Sequence, residues 1–373
     1  MMRAEGQISM TPPELPTAAG TASEYHMLHR KSPGFTGFFF SETGQMAIIG
    51  ARSPTSTPNR PRSPLPMQPE IVCLGEPMLE FNCQEDGRYL AGHGGDTSNC
   101  AIAAARQGAP TGYLTSLGND RFGDSFMALW TVEGVDTSRV RRDPAAHTAI
   151  YFVDHADGQH HFSYMRAGSA ASRMTPDTLP EDYIAGAKVL HVSGISQAIS
   201  ASACDTVFRA IEIARAAGVT VSYDTNLRLK LWSLARARAI THAAMRQCHI
   251  ALPGMDDAVL LTGLDDPDAI ADFYLALGVG IVALTMGKAG TLVATPHRRE
   301  RVPVTPVAAI DATAAGDTFD GAFLAEWVRD SDPFAAARYA NAAAALSTLG
   351  YGAVAPIPKR QAVLNFLHAP PPA

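Results

Sequence analysis

The stretch Asp311-Ala312-Thr313-Ala314-Ala315-Gly316-Asp317-Thr318-Phe319-Asp320-Gly321 decides how the chain is read. It follows a predicted strand and opens an apolar helix predicted over 317–328. Its small residues let backbone N–H groups approach a ligand, and a helix N-terminus is a ready anion site because its first amides lack intrahelical acceptors. A carboxylate in that first turn, Asp317, has the chemistry to take a proton from an alcohol attacking a phosphoryl group. The same residues also suit a plain N-capping aspartate at a Gly-rich turn. The stretch alone leaves both readings open.

Working outward, strands and helices alternate. Strands are predicted at 188–192, 219–223, 249–252 and 281–285, with helices between them at 202–217, 234–248 and 267–277. Two more strands fall near 291–294 and 301–304, and a last helix covers 333–349. Toward the N-terminus, Ile71-Val72-Cys73-Leu74-Gly75 reads as a buried strand, and an Ala-rich helix at 99–107 stops at Gly108. This alternation predicts an α/β fold with a mostly parallel central sheet covered on both faces. Hairpin-rich stretches near 78–94 and 147–165, the second turning at Ala156-Asp157-Gly158, do not fit inside such a sheet. They read as a small β-sheet lid.

The chain has 373 residues, 46% hydrophobic and 18% charged, with a formal net charge of −6. That composition fits a globular protein and offers no basic footprint for nucleic acid or an anionic membrane. No apolar run reaches the roughly 18–20 residues of a membrane span. The five cysteines are scattered without C-x-x-C spacing, which argues against a zinc site or disulfide framework and for free thiols in the cytoplasm. Residues 1–69 hold 10 of the 26 prolines among many Ser and Thr, so the folded domain is expected over 70–373 and the preceding segment is expected to be disordered or non-native.

A second motif precedes the first by about 220 residues. Gly92-His93-Gly94-Gly95-Asp96-Thr97-Ser98-Asn99 runs into the Ala-rich helix, followed by Leu117-Gly118-Asn119-Asp120-Arg121-Phe122-Gly123. Together the motifs resemble the two signatures of the ribokinase-like (PfkB) carbohydrate kinases, over about residues 70–367. The resemblance implies a ribokinase-like three-layer sandwich, Asp317 as catalytic base, and an anion hole of amides from Ala314, Ala315 and Gly316. It also implies that Gly94 and Gly95 approach the sugar, that ATP lies along Gly287 and Gly290 and against the helix bearing Asn341, and that Mg²⁺ takes part. A monovalent cation near Asp311 and Thr313 belongs to the same expectation. Two departures stand out. Ala314 replaces the family's glycine, which predicts a negative φ there. The family's N-x-x-E motif falls on Gly254-Met255-Asp256-Asp257, leaving Asp257 to order magnesium-bound water.

Two further stretches bear on the substrate. Tyr164-Met165-Arg166-Ala167-Gly168-Ser169-Ala170 and Asp224-Thr225-Asn226-Leu227-Arg228-Leu229-Lys230-Leu231-Trp232 are similar to patterns of the 2-keto-3-deoxygluconate kinase branch. An acid's carboxylate calls for Arg, through a planar bidentate contact. Arg166 and Arg228 are therefore expected at the substrate's far end, with Asn226 beside them and Tyr151 and Tyr164 as hydroxyl donors. Either Glu76 or Glu80 is expected to meet sugar hydroxyls. The implied activity is ATP-dependent phosphorylation of 2-dehydro-3-deoxy-D-gluconate at its 6-hydroxyl. A kinase of a neutral sugar and a non-catalytic sugar-acid sensor are the alternatives. An exposed lid sheet that pairs with its copy predicts a homo-oligomer, a dimer or larger.

Overall fold

In the computed structural model, which describes residues 68–84, 86–156 and 159–369, alternate side chains of the first strand enter different cores. Ile71 and Cys73 pack on one face of the sheet, Val72 and Leu74 on the other. In chain order the strands are β1 (Ile71–Leu74), β2 (Met78–Cys83), β3 (Tyr89–Gly94), β4 (Thr111–Leu114), β5 (Ser116–Gly118), β6 (Arg141–Asp143), β7 (Ala149–Ala156), β8 (Gln159–Met165), β9 (Val189–Ser193), β10 (Thr220–Asp224), β11 (Ile250–Leu252), β12 (Ile281–Thr285), β13 (Thr291–Ala294) and β14 (Arg299–Val302). The main sheet has the order β14-β13-β12-β11-β10-β9-β1-β4. Its strands from β4 to β12 run parallel, while β13 and β14 return antiparallel at the edge. The expectation for residues 1–69 falls outside the described residues, except that Pro69 is buried and Glu70 pairs with Lys188.

Burial on both faces explains the continuous apolar runs in the central strands. One face is covered by the helices Asp96–Arg106, Ala315–Asp330 and Pro333–Ser347, the other by Ala201–Ala216 and Pro267–Ala276. The first helix and the motif helix (Ala315–Asp330) meet closely because Gly321 has no side chain. A Cβ there would lie 2.3 Å from the Cys100 carbonyl oxygen and 2.8 Å from the Ala104 nitrogen. Both helices start earlier than the sequence predicts, at Asp96 and Ala315, so the motif residues Asp96, Asn99 and Asp317 all lie within first turns.

A second sheet, β3-β2-β7-β8, stands apart from the main one. β2 and β3 form one hairpin, and β7 and β8 pair antiparallel around a turn whose residues 157–158 lie outside those described. β2 also pairs with β7 in parallel, which joins the two hairpins into one lid. Among the described residues no helix is long and apolar enough to cross a membrane, and all five cysteines are free.

Candidate functional site

The chain leaves β1 toward β4 on one side and later fills β9 to β12 on the other, so the sheet order reverses beside β1. Ligands of open α/β sheets gather at the carboxyl ends of the strands at such a point. There Glu76 follows β1, Asp224 ends β10 with Thr225 and Asn226 after it, Asp257 lies in the first turn of the helix after β11 (Met255–Thr262), and Gly287 follows β12. The first turn of the first helix supplies Asp96 and Asn99. Gly95 makes this entry work: its φ is +109°, and a Cβ would lie 2.6 Å from the Glu76 carbonyl oxygen.

Asp317 is half-buried in the first turn of the motif helix, and Asn99 donates to its Oδ2 at 2.8 Å. Its pKa is raised to about 7, first by burial and then by the charge of Asp96, against the Asn99 hydrogen bond and the Arg228 charge. Asn226 donates to Asp96 Oδ2 at 3.1 Å, leaving Asp96 Oδ1 and Asn99 Oδ1 buried with no partner among the described residues. Buried acceptors left unmade cost about 1–3 kcal/mol each, so their presence here fits a pocket that meets a polar ligand. Burial, reinforced by the surrounding carboxylates, also pushes Asp224 and Asp320 well above the usual range.

The motif helix has no side-chain cap. Ala315 N–H closes the turn onto the Ala312 carbonyl at 3.2 Å, while the amides of Gly316 and Asp317 have no partner among the described residues. The expected negative φ at Ala314 is wrong: the residue sits at +59° in the left-handed region. The turn forces it there, because Asp311 Oδ1 captures both the amide (2.9 Å) and hydroxyl (2.7 Å) of Thr313. Asp311 Oδ2 also accepts from Gly352 N–H at 2.9 Å, so the same carboxylate ties this loop to the segment after the helix Pro333–Ser347.

The lid supplies one wall. Tyr151 donates its hydroxyl to Glu80, and that oxygen lies against Gly94, where a Cβ would be only 3.0 Å away. Its ring is 5.9 Å from that of its cross-strand partner Tyr164. Arg166, just past β8, is held by the buried Glu76. Its Nε and one terminal nitrogen donate to Glu76 Oε2 at 2.9 and 2.5 Å, and Ser169 Oγ donates to Oε1 at 2.6 Å. Glu76 is 1% exposed and thereby spent on anchoring Arg166, whereas Glu80 sits in the lid behind Tyr151.

Arg228, exposed in the loop after β10, donates to the Leu227 carbonyl at 2.9 Å, and its charge lowers the pKa of both Asp317 and Asp257. Asp257 accepts the Leu227 amide at 2.8 Å. A cleft of about 430 Å³ opens beside it, lined by Gly254, Met255, Asp256, Asp257, Thr285, Met286 and Gly287. Gly287 and Gly290 bound the turn after β12, both at positive φ. Asn341, on the helix expected against the nucleotide, is hydrogen-bonded within the protein. Its Oδ1 accepts from Thr291 at 2.7 Å and its Nδ2 donates to the Val302 and Pro303 carbonyls, so the side chain ties the sheet edge to its helix.

The site thus brings together a half-buried carboxylate at an uncapped helix N-terminus, an open cleft beside Asp257 and a small lid sheet. The sequence profile of the pfkB family carbohydrate kinases matches residues 68–360. The chain belongs to this family. This PfkB-family kinase is 34% identical to the 2-dehydro-3-deoxygluconokinase of Thermoproteus tenax, over 74% of this chain and 87% of that one. It is 32% identical to Fructokinase-1 of Zea mays, over 80% and 97%. Among solved structures, the fructokinase from Vibrio cholerae O395 in its fructose-, ADP- and calcium-bound form superposes with a TM-score of 0.74 at 28% identity, covering 81% of this chain and all of that one.

In this PfkB-family kinase, sequence reasoning passed over Asp96 and Asn99 as site residues. Their signal was present: a carboxylate and an amide three residues apart at the start of an Ala-rich helix share one face. It passed over Ser169 as well, for which no spacing could reveal the hydrogen bond to Glu76. His191 is buried with its pKa pushed down to about 3, so it is a neutral core residue.

Proposed function

We propose that the protein transfers the γ-phosphoryl group of ATP to the 6-hydroxyl of 2-dehydro-3-deoxy-D-gluconate, giving the 6-phosphate and ADP. One observation carries the reading: a carboxylate poised to ionise near neutrality, Asp317, stands at an uncapped helix N-terminus below a lid wall of Tyr151, Tyr164 and Arg166. As O6 bonds to the γ-phosphorus and the bridging P–O bond breaks, Asp317 takes the hydroxyl proton. The Gly316 and Asp317 amides stabilise charge on the moving group. Arg228 adds its positive charge at the same end.

The ATP phosphates are assigned to the cleft beside Asp257, with the Gly287–Gly290 turn under the nucleotide. Among the described residues no three His, Cys, Asp or Glu side chains converge as a metal-binding set. That suits Mg²⁺, which keeps most of its ligands as water and phosphate oxygen. Asp257 would hold it through water, and the bound ion would neutralise charge between the β- and γ-phosphates.

Arg166 supports an acid substrate: its other terminal nitrogen has no partner among the described residues and remains a donor of fixed direction. A neutral sugar is the second reading, favoured by the nearly equal identity to fructokinases. Coupled ADP release with Mg-ATP separates them on a panel of 2-keto-3-deoxygluconate, 2-keto-3-deoxygalactonate, fructose, ribose and tagatose. The expected result is preference for the two acids. Preference for fructose, ribose or tagatose would overturn the acid reading and keep Asp317 as base.

A further inference from the structure

We infer that Lys230 binds the carboxylate of an acidic sugar and thereby sets the preference for an acid over a neutral substrate; this rests on the sugar-acid reading above. The argument begins with charge. A carboxylate needs net positive charge as well as hydrogen-bond donors, and of the cations near the pocket Arg166 has its own charge compensated. Arg166 is paired at 2.5 Å with the buried Glu76. Arg228 donates to the Leu227 carbonyl at 2.9 Å rather than crossing to the lid, and its charge acts on Asp317 and Asp257. Lys230, in the loop after β10, has neither hydrogen bond nor carboxylate partner among the described residues.

Position supports the same residue. The Lys230 ammonium lies 5.9 Å from the Phe162 ring centre and 6.0 Å from that of Tyr164, so it reaches from the body across to the lid. Phe162 and Tyr164 are two apart on β8 and share a face, and Tyr151 lies opposite Tyr164 on β7. That face is the one whose Tyr151 hydroxyl rests against Gly94 and Glu80, at the sugar side of the site. Arg166 Cζ lies 5.8 Å from the same Tyr164 ring. Lys230 and Arg166 thus flank one aromatic platform, with directional donors from the arginine and uncompensated charge from the lysine. The contact with the rings holds the ammonium loosely and leaves its three donors for a ligand.

The test is steady-state kinetics of the full chain and of Lys230→Met and Lys230→Arg at saturating Mg-ATP, with 2-keto-3-deoxygluconate, fructose and ribose as acceptors. Lys230 is exposed, so both variants are expected to melt with the wild type. Support is a wild type that prefers the acid and a Lys230→Met variant whose KM for the acid rises about tenfold or more, the scale of a lost charge-assisted contact. Its kcat and its KM for ATP should stay within about twofold, and Lys230→Arg should recover most of the loss. An acid-preferring wild type whose KM survives Lys230→Met overturns the role of Lys230 and leaves the sugar-acid reading standing. A rise in KM shared equally by the acid and the neutral sugars also overturns it, since charge recognition would move only the acid. A wild type that prefers fructose or ribose overturns the sugar-acid reading itself.

Discussion

Asp317 feels opposed influences, and their balance fixes when it can act. Burial and Asp96 raise its pKa, Asn99 and Arg228 lower it, and the outcome is about 7. Only the ionised form accepts a proton, so kcat/KM should fall as pH drops below about 7. Asp96→Asn removes the like charge and should move that acid limb to lower pH, read directly from a pH–rate profile. Asp317→Asn should cut kcat by about 10²–10⁴-fold. Linkage gives it a second signature. A carboxyl whose folded pKa lies above its unfolded value contributes stability at low pH that is lost as pH rises through about 7. Asp317→Asn, uncharged throughout, should therefore gain in melting temperature over the wild type at pH 8 relative to pH 4. The motif made Asp317 legible in the sequence. It could not show that the charge of Arg228 acts on this carboxylate, because spacing along a loop does not say what a side chain faces across the fold.

The packing of two helices delivers this geometry. Asn99 on the first helix touches Asp317 on the motif helix only because Gly321 lets their backbones close up. Gly321→Ala would push against a carbonyl oxygen and a backbone nitrogen, neither of which can swing aside. It should destabilise the fold by about 1–3 kcal/mol and lower kcat although it touches no substrate; denaturant titration and kinetics on one preparation check both. Ala314, left-handed at φ +59°, carries a strain of about 1–2 kcal/mol. Ala314→Gly should relieve it, with the gain reduced to about 1 kcal/mol by the looser unfolded chain. Elements with a strong period were readable from sequence, whereas the helix Arg121–Glu133 was not. Within it only Gly123, Phe126 and Trp130 are buried, and the apolar Val132 is 84% exposed, so its pattern points nowhere. Strands β4, β5 and β6 are three or four residues long, two of them with glycine, and too short to show alternation.

At the scale of the molecule, the first contacts among the described residues are made by Gln68 against Gly186, by the buried Pro69 and by the Glu70–Lys188 pair. A chain beginning at Met67 keeps all of them. Deleting residues 1–66 should leave kcat and both KM values unchanged, and a loss of activity on deletion would assign that segment a role. The α/β architecture was legible because a sheet buried on both faces writes continuous apolar runs between amphipathic helices. The lid's parallel β2–β7 pairing was not, because it joins segments about 70 residues apart that each read as a separate hairpin. Under the proposed assignment the sugar meets this lid and the loop after β10, while ATP meets the loops after β11 and β12. A lineage can then change its diet by altering a few side chains on one bank while inheriting the other intact. The 34% identity to a 2-dehydro-3-deoxygluconokinase and 32% to a fructokinase are what such an inheritance would leave.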